Sequence, residues 1–114
     1  MESEEIMGKI LYEIKHGANY FRALEMRGLA PTTLTRYIPL LERDGLIFIN
    51  TKSKKKLLKL NEARREEIEK LIQAYLEYEK REAKEKLKIV LNYIKLTEEE
   101  KKVIEGFLKK LEYL

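Results

Sequence analysis

The stretch LAPTTLTRYIPLLERDGLI, residues 29 to 47, decides how the chain reads. Leu34, Ile38 and Leu41 recur at helical spacing, and Gly45 stands where a helix stops. Pro31 falls in the first turn, where a missing amide leaves nothing unpaired. Pro39 falls in the middle, where it removes one backbone hydrogen bond and costs about 3 kcal/mol. The pattern predicts one helix over 31–44. At ~100° per residue, Leu34, Ile38 and Leu41 share the buried side. Thr32, Arg36 and Arg43 fall opposite them, Thr33 and Tyr37 lie on the flank, and Pro39 lies between the outer face and the other flank.

Upstream, Ser3 with Glu4 and Glu5 reads as a helix cap with favourable first-turn charges. Ile6, Ile10, Leu11 and Ile14 mark an amphipathic helix ending near His16-Gly17. A second, shorter helix is expected over 18–27, with Tyr20, Phe21 and Leu24 inward and Gly28 as its stop. Downstream, Leu46 to Ile49 and Leu57 to Leu60 are two apolar runs around the polar tip Asn50-Thr51-Lys52-Ser53-Lys54-Lys55-Lys56, which predicts a β-hairpin.

From Asn61, a good cap residue, helical spacing resumes through Ile68, Ile72, Tyr75, Leu76, Ala83, Leu87, Val90 and Ile94. The interval 80–86 is apolar only at Ala83, which leaves open whether the helix runs on or bends or stops there. Thr97 and Glu100 form a capping box for a last helix carrying Val103, Ile104, Phe107, Leu108 and Leu111. Two regions follow: residues 1–61 and a helical region over 62–114.

Charge separates them further. Residues 8–60 hold eleven Lys/Arg against four Asp/Glu, a net of +7, while residues 61–114 hold thirteen of each sign. A basic module is therefore joined to a neutral one, which points to a polyanion as partner of the first. The charged fraction of 39%, mostly Lys, Glu and Arg, resembles that of proteins from hot environments. With no cysteine and one histidine, His16, disulfides, thiolate chemistry and a transition-metal site are not expected, and no cofactor is implied. No run has the length of a membrane span and no signal-peptide pattern opens the chain, so a cytoplasmic location is expected. Neither a glycine-rich phosphate loop nor a nucleophile–base pair stands in the sequence, and no enzymatic activity is expected.

The order helix, helix, helix, hairpin resembles a winged helix-turn-helix domain, as found in small prokaryotic, archaeal regulators of the MarR, ArsR and PadR kinds. The resemblance covers about residues 5 to 66. Its motif runs through Leu29, Pro31, Thr32, Thr33, Leu34, Thr35, Arg36, Ile38, Leu41, Glu42, Gly45, Leu46 and Ile47. Positions 39 and 40, polar in such proteins, hold Pro39 and Leu40 here.

The resemblance implies a recognition helix over 31–44 in the major groove of double-stranded DNA. Thr32, Thr33, Arg36, Tyr37 and Arg43 would then face bases and phosphates. It makes the hairpin a wing whose Lys52, Ser53, Lys54, Lys55 and Lys56 lie on the phosphate backbone and add affinity without reading sequence. The apolar stripe of the second region, longer than a small winged domain can cover, predicts a homodimer. Tyr75, Leu76, Leu87, Val90, Ile94, Phe107, Leu108 and Leu111 are the expected interface.

The expected function is a sequence-specific transcriptional regulator, a repressor because bound dimers block polymerase. Two other readings are an architectural DNA binder of low specificity and a protein-interaction module that kept the fold. A small-molecule effector is compatible with this class, but no convergent polar groups mark its pocket.

Overall fold

The apolar spacing of the first 43 residues becomes three helices: α1 (Ser3–Lys15), α2 (Phe21–Met26) and α3 (Pro31–Arg43). An antiparallel hairpin follows, β1 (Ile47–Asn50) and β2 (Leu57–Leu60), then a 3-10 turn (Glu62–Arg64), α4 (Arg65–Tyr93) and α5 (Glu98–Tyr113). The computed structural model describes residues 1–52 and 54–113, with side chains through residue 110. Mainly α with a small β-hairpin is the architecture expected. Among the described residues no helix is long and apolar enough to cross a membrane.

The first three helices end alike. Beyond the last turn of each, an amide reaches back to a carbonyl five residues earlier: Ala18 to Glu13 (2.9 Å), Leu29 to Leu24 (3.3 Å) and Leu46 to Leu41 (3.0 Å). Such a reversal needs a left-handed residue just before, as at Gly45 with φ 74°. The residue after each glycine then turns inward, so Ala18, Leu29 and Leu46 are all buried. α2 is accordingly shorter than expected. Ala18 closes α1, the Asn19 carbonyl accepts the Leu58 amide at 2.7 Å, and Tyr20 pairs with Leu57 as an isolated bridge. With those residues committed to α1 and the hairpin, α2 starts only at Phe21. Leu24 is fully buried as expected, whereas Tyr20 is half-buried and Phe21 lies at the surface.

The cap of α1 is Glu2, with the Glu5 carboxylate accepting the Glu2 amide at 3.2 Å, and not Ser3. The Ser3 hydroxyl is instead hydrogen-bonded to that of Tyr37 at 3.1 Å. α3 runs through Pro39 unbroken. In the hairpin, Ile47 pairs with Leu60 and Ile49 with Leu58 on the inner face, while Phe48 and Lys59 pair on the outer one. Period-two alternation across a half-buried sheet requires this.

Asn61 fastens the hairpin to its neighbours. Its side-chain amide donates to the Gly45 carbonyl at 2.7 Å, and its backbone amide donates to the Leu46 carbonyl at 2.9 Å. Its side-chain oxygen accepts the Ala63 amide at 3.1 Å, capping the turn that leads into α4.

The chain divides into two compact units, Met1–Leu76 and Glu77–Leu114, so the first unit extends beyond the expected boundary at residue 61. The cause lies in α4, whose first turns are core: Ile68, Ile72 and Tyr75 are buried. Gly8 makes this packing possible. A Cβ there would collide with the Leu71 backbone carbonyl and stand 2.9 Å from Tyr75 Cβ. The Lys15 ammonium also holds the Glu69 carboxylate at 2.9 Å. In the second unit, Leu87, Leu91, Leu96, Ile104 and Leu108 are half-buried, and none of the described side chains is fully buried. Its last helix is capped as expected, with the Glu100 amide bonded to Thr97 Oγ1 at 3.2 Å and the Thr97 amide to Glu100 Oε1 at 3.3 Å. α4 is continuous through 80–86, the interval at which the sequence pattern leaves a bend or stop open. Unbranched Lys, Glu and Arg around Ala83 are strong helix formers, and that propensity outweighs the gap in the apolar pattern.

Two outcomes follow from the α1–α4 contact. Gly8→Ala gains about 1 kcal/mol of helix propensity but forces the helices apart, and overpacking costs roughly 1–3 kcal/mol. A lower urea midpoint than wild type is expected, and a higher one would show that the contact yields. Glu69 has its carboxyl held below its ordinary value, first by the Lys15 hydrogen bond and further by the Lys15 and Arg65 charges, against an opposing effect of desolvation smaller than the hydrogen bond. A depressed pKa stabilises the fold above the ordinary carboxylate value, and that contribution is lost as pH falls through the folded value. Lys15→Met should therefore melt slightly below wild type near neutral pH. The gap should close in acid and shrink in high salt, as expected of an exposed pair.

Candidate nucleic-acid interface

α3 presents its polar side because its apolar side is anchored. Leu34 and Leu41 are 0% exposed and Ile38 is 7% exposed. Opposite them, Thr32, Arg36 and Arg43 are exposed, and Thr33 is half-buried. The Arg36 guanidinium sits over the Tyr37 ring, 5.5 Å from its centroid, so the ring holds the cation without neutralising it. Arg43 is partly engaged, its Nε 3.4 Å from the Asp44 carboxylate.

Tyr37, expected to face DNA, does not. It is 6% exposed, and its hydroxyl bonds Ser3 at the start of α1. A flank position becomes core where a second helix leans on it, and Tyr37 serves as the seat of Arg36. Thr35, not among the expected contacts, is exposed. Its hydroxyl donates to the Pro31 carbonyl at 2.9 Å, which ties down the first turn.

At the hairpin tip, Lys52, Lys54, Lys55 and Lys56 are all exposed. The sequence places no acid between Asp44 and Glu62, so this end of the unit is a block of positive charge. The Asn50 side chain accepts the Lys52 amide at 3.0 Å and shapes the turn. Lys55 Nζ rests over the Tyr20 ring at 4.6 Å. Ser53 lies outside the described residues. Lys59, on the outer strand face beside Phe48, adds a further exposed cation that alternation alone could have identified.

Helix and hairpin meet along a shared cleft of about 240 Å³. Thr35 and Pro39 of α3 border it, with Ile49 of β1, Lys56 of the tip and Leu58 of β2. The predicted residues of α3 and of the tip are thus carried by elements that flank one depression. The lysines of the tip can follow a phosphate chain, while threonine and arginine side chains on the exposed side of the helix can reach hydrogen-bonding edges. Among the described residues no group of three or more His, Cys, Asp or Glu could hold a metal ion.

The expected association residues differ in exposure. Tyr75 is buried at 7% exposure within the first unit, its ring 5.6 Å from that of Tyr12, and so is not available to a second chain. Packing of α4 against α1 accounts for this. Leu76, Val90, Ile94 and Phe107 are exposed, joined by Ile89, Tyr93 and Val103, which were not expected. Leu87 and Leu108 are half-buried; Leu108 lines a groove between α4 and α5 with Leu91, Leu96 and Ile104. The Leu111 side chain lies outside the described residues. Compared with protein-family models, curated proteins and solved structures, the chain matches none.

Proposed function

We propose that the chain is a sequence-specific double-stranded-DNA-binding regulator of the winged helix-turn-helix kind, acting as a homodimer. One observation carries this reading: an anchored helix with exposed Thr32 and Arg36 stands across a cleft from an acid-free lysine tip. A helix of this width fits the major groove, where arginine binds guanine bidentately and threonine meets an edge or a thymine methyl. The tip lysines and Arg43 then meet phosphates. The exposed apolar side chains of the second unit, from Ile89 to Phe107, are the surface through which two copies would associate. Bound at a promoter, such a dimer represses by blocking polymerase.

The tip also supports a second reading, an architectural binder, because lysine–phosphate contacts carry no sequence information. Selection of bound duplexes from a random pool distinguishes the two. A regulator enriches a pseudo-palindrome with half-sites about 34 Å apart or a multiple of it, and exceeds its non-specific affinity by roughly a thousandfold or more. Absence of any enriched motif selects the architectural reading, and absence of DNA binding rejects both.

Replacing Lys52, Lys54, Lys55 and Lys56 together with Gln should weaken all duplexes alike. The slope of log K against log salt should flatten by about 0.9 for each phosphate that the tip no longer neutralises. An unchanged slope would remove the tip from the interface.

A further inference from the structure

The hairpin has a second face, turned away from the cleft it shares with α3. Ile49 and Leu58 line that cleft, so strand alternation places Phe48, Asn50, Leu57 and Lys59 on the other side of the sheet. The bridge between Tyr20 and Leu57 carries this face one residue further, because directly paired residues share a side. Two aromatic rings, Phe48 and Tyr20, therefore flank Leu57 and Lys59, with two strand spacings, about 10 Å, between them across the sheet.

Packing gives no reason for a ring at position 48. Phe48 is 55% exposed, and Phe48, Leu57 and Tyr20 all stand outside the apolar core. Strand propensity alone would be met by valine or threonine. The charges that the hairpin brings to these rings are all positive. Lys59 is paired directly with Phe48, Lys55 Nζ lies 4.6 Å from the Tyr20 ring centroid, and the sequence holds no acid from Gly45 to Asn61. Rings interleaved with lysines suit a strand of unpaired nucleotides, since every base has a π-face to lay on a ring and each phosphate can meet a cation. A duplex cannot use the rings, because its bases are already stacked on one another. Leu57, between the rings, offers no partner to a 2′-hydroxyl, the group by which proteins tell RNA from DNA.

We propose that the outer face of the hairpin binds single-stranded DNA. A base stacks on Phe48, Lys59 and Lys55 meet the neighbouring phosphates, and Tyr20 extends the surface beneath the strand. The site does not rest on the duplex-binding reading and shares only Lys55 with the surface proposed to hold a duplex.

Fluorescence anisotropy of the full chain with a labelled oligothymidylate of about twelve nucleotides, beside an abasic strand of equal length, tests the assignment. Phe48→Leu keeps an apolar side chain in the strand and removes the ring. It should weaken the oligothymidylate about fivefold or more, the effect of losing one base–ring stack, and leave the abasic strand unaffected. Lys59→Gln should weaken both strands and flatten the slope of log K against log salt by about 0.7, the single-strand value for one phosphate. An oligothymidylate held no more tightly than the abasic strand, or held equally by wild type and Phe48→Leu, would overturn the assignment. So would self-association in sedimentation velocity that Phe48→Leu abolishes without loss of strand binding, which would make the face a contact between copies.

Oligouridylate and its deoxy counterpart differ only in the 2′-hydroxyl. The deoxy strand should bind at least as tightly, and a preference for the RNA would overturn the choice of DNA. A random duplex reads the proposed function separately, with equal affinity expected in wild type and Phe48→Leu. Phe48-dependent binding of the single strand with no duplex binding would overturn the proposed function and support this site. Duplex binding with no single-strand binding would overturn this site alone.

Discussion

Three of the hydrogen bonds of Asn61 hold together the parts that the proposed interface needs in fixed relation. One residue ties the end of β2 to the turn after α3 and caps the entry to α4. Each bond contributes about 1 kcal/mol, but a partly buried carbonyl left unpaired costs more, roughly 1–3 kcal/mol. The tip lysines stand on strands whose base is pinned to the C-terminal turn of α3, so helix and tip keep one spacing. Asparagine suits this position because it offers a donor and an acceptor from one short, stiff side chain. Aspartate could cap the turn but would set a negative charge against the Gly45 carbonyl.

The rest of the first unit is organised by close approaches at small residues. Gly8 lets a helix backbone come near another, and the large apolar residues of α4 then bury against α1. The Tyr12 ring lies tilted against those of Tyr75 and His16 there, with the Tyr12–His16 centroids 4.2 Å apart. Among the described residues the second unit shows no such device: a Cβ at its Gly106 would meet nothing within 4 Å. Its described apolar side chains remain half or wholly exposed, a state that usually marks an association surface.

Much of this architecture was legible in the sequence, because it rests on local rules. Helix order, the glycine stops, the hairpin, the Asn61 cap and the Thr97–Glu100 box each depend on residues within a few positions of one another. What was not legible depends on partners far along the chain. Tyr37 reads as a flank residue until α1 lies beside it, and Tyr75 reads as free until Gly8 admits α4. The shortening of α2 follows from Leu57 and Leu58, almost forty residues away, claiming Tyr20 and Asn19. In the candidate site, the exposed side of α3 and the tip lysines followed from periodicity and charge. The cleft between them required the tertiary fold. Pro39 illustrates the difference, an awkward residue when counted along a helix and a piece of wall once the hairpin stands opposite.

The buried turns after α1, α2 and α3 have a consequence for how such a chain can change in length. Because Ala18, Leu29 and Leu46 are drawn into the core directly behind their glycines, the helix connections have no slack, and an inserted residue would pull a core side chain out of place. Among the described residues, the hairpin tip (51, 52 and 54–56) and the junction at 94–97 carry no buried side chain of this kind. Insertions and deletions are therefore accommodated at those two places. The length of the lysine tip can thus vary while α3 keeps its seat.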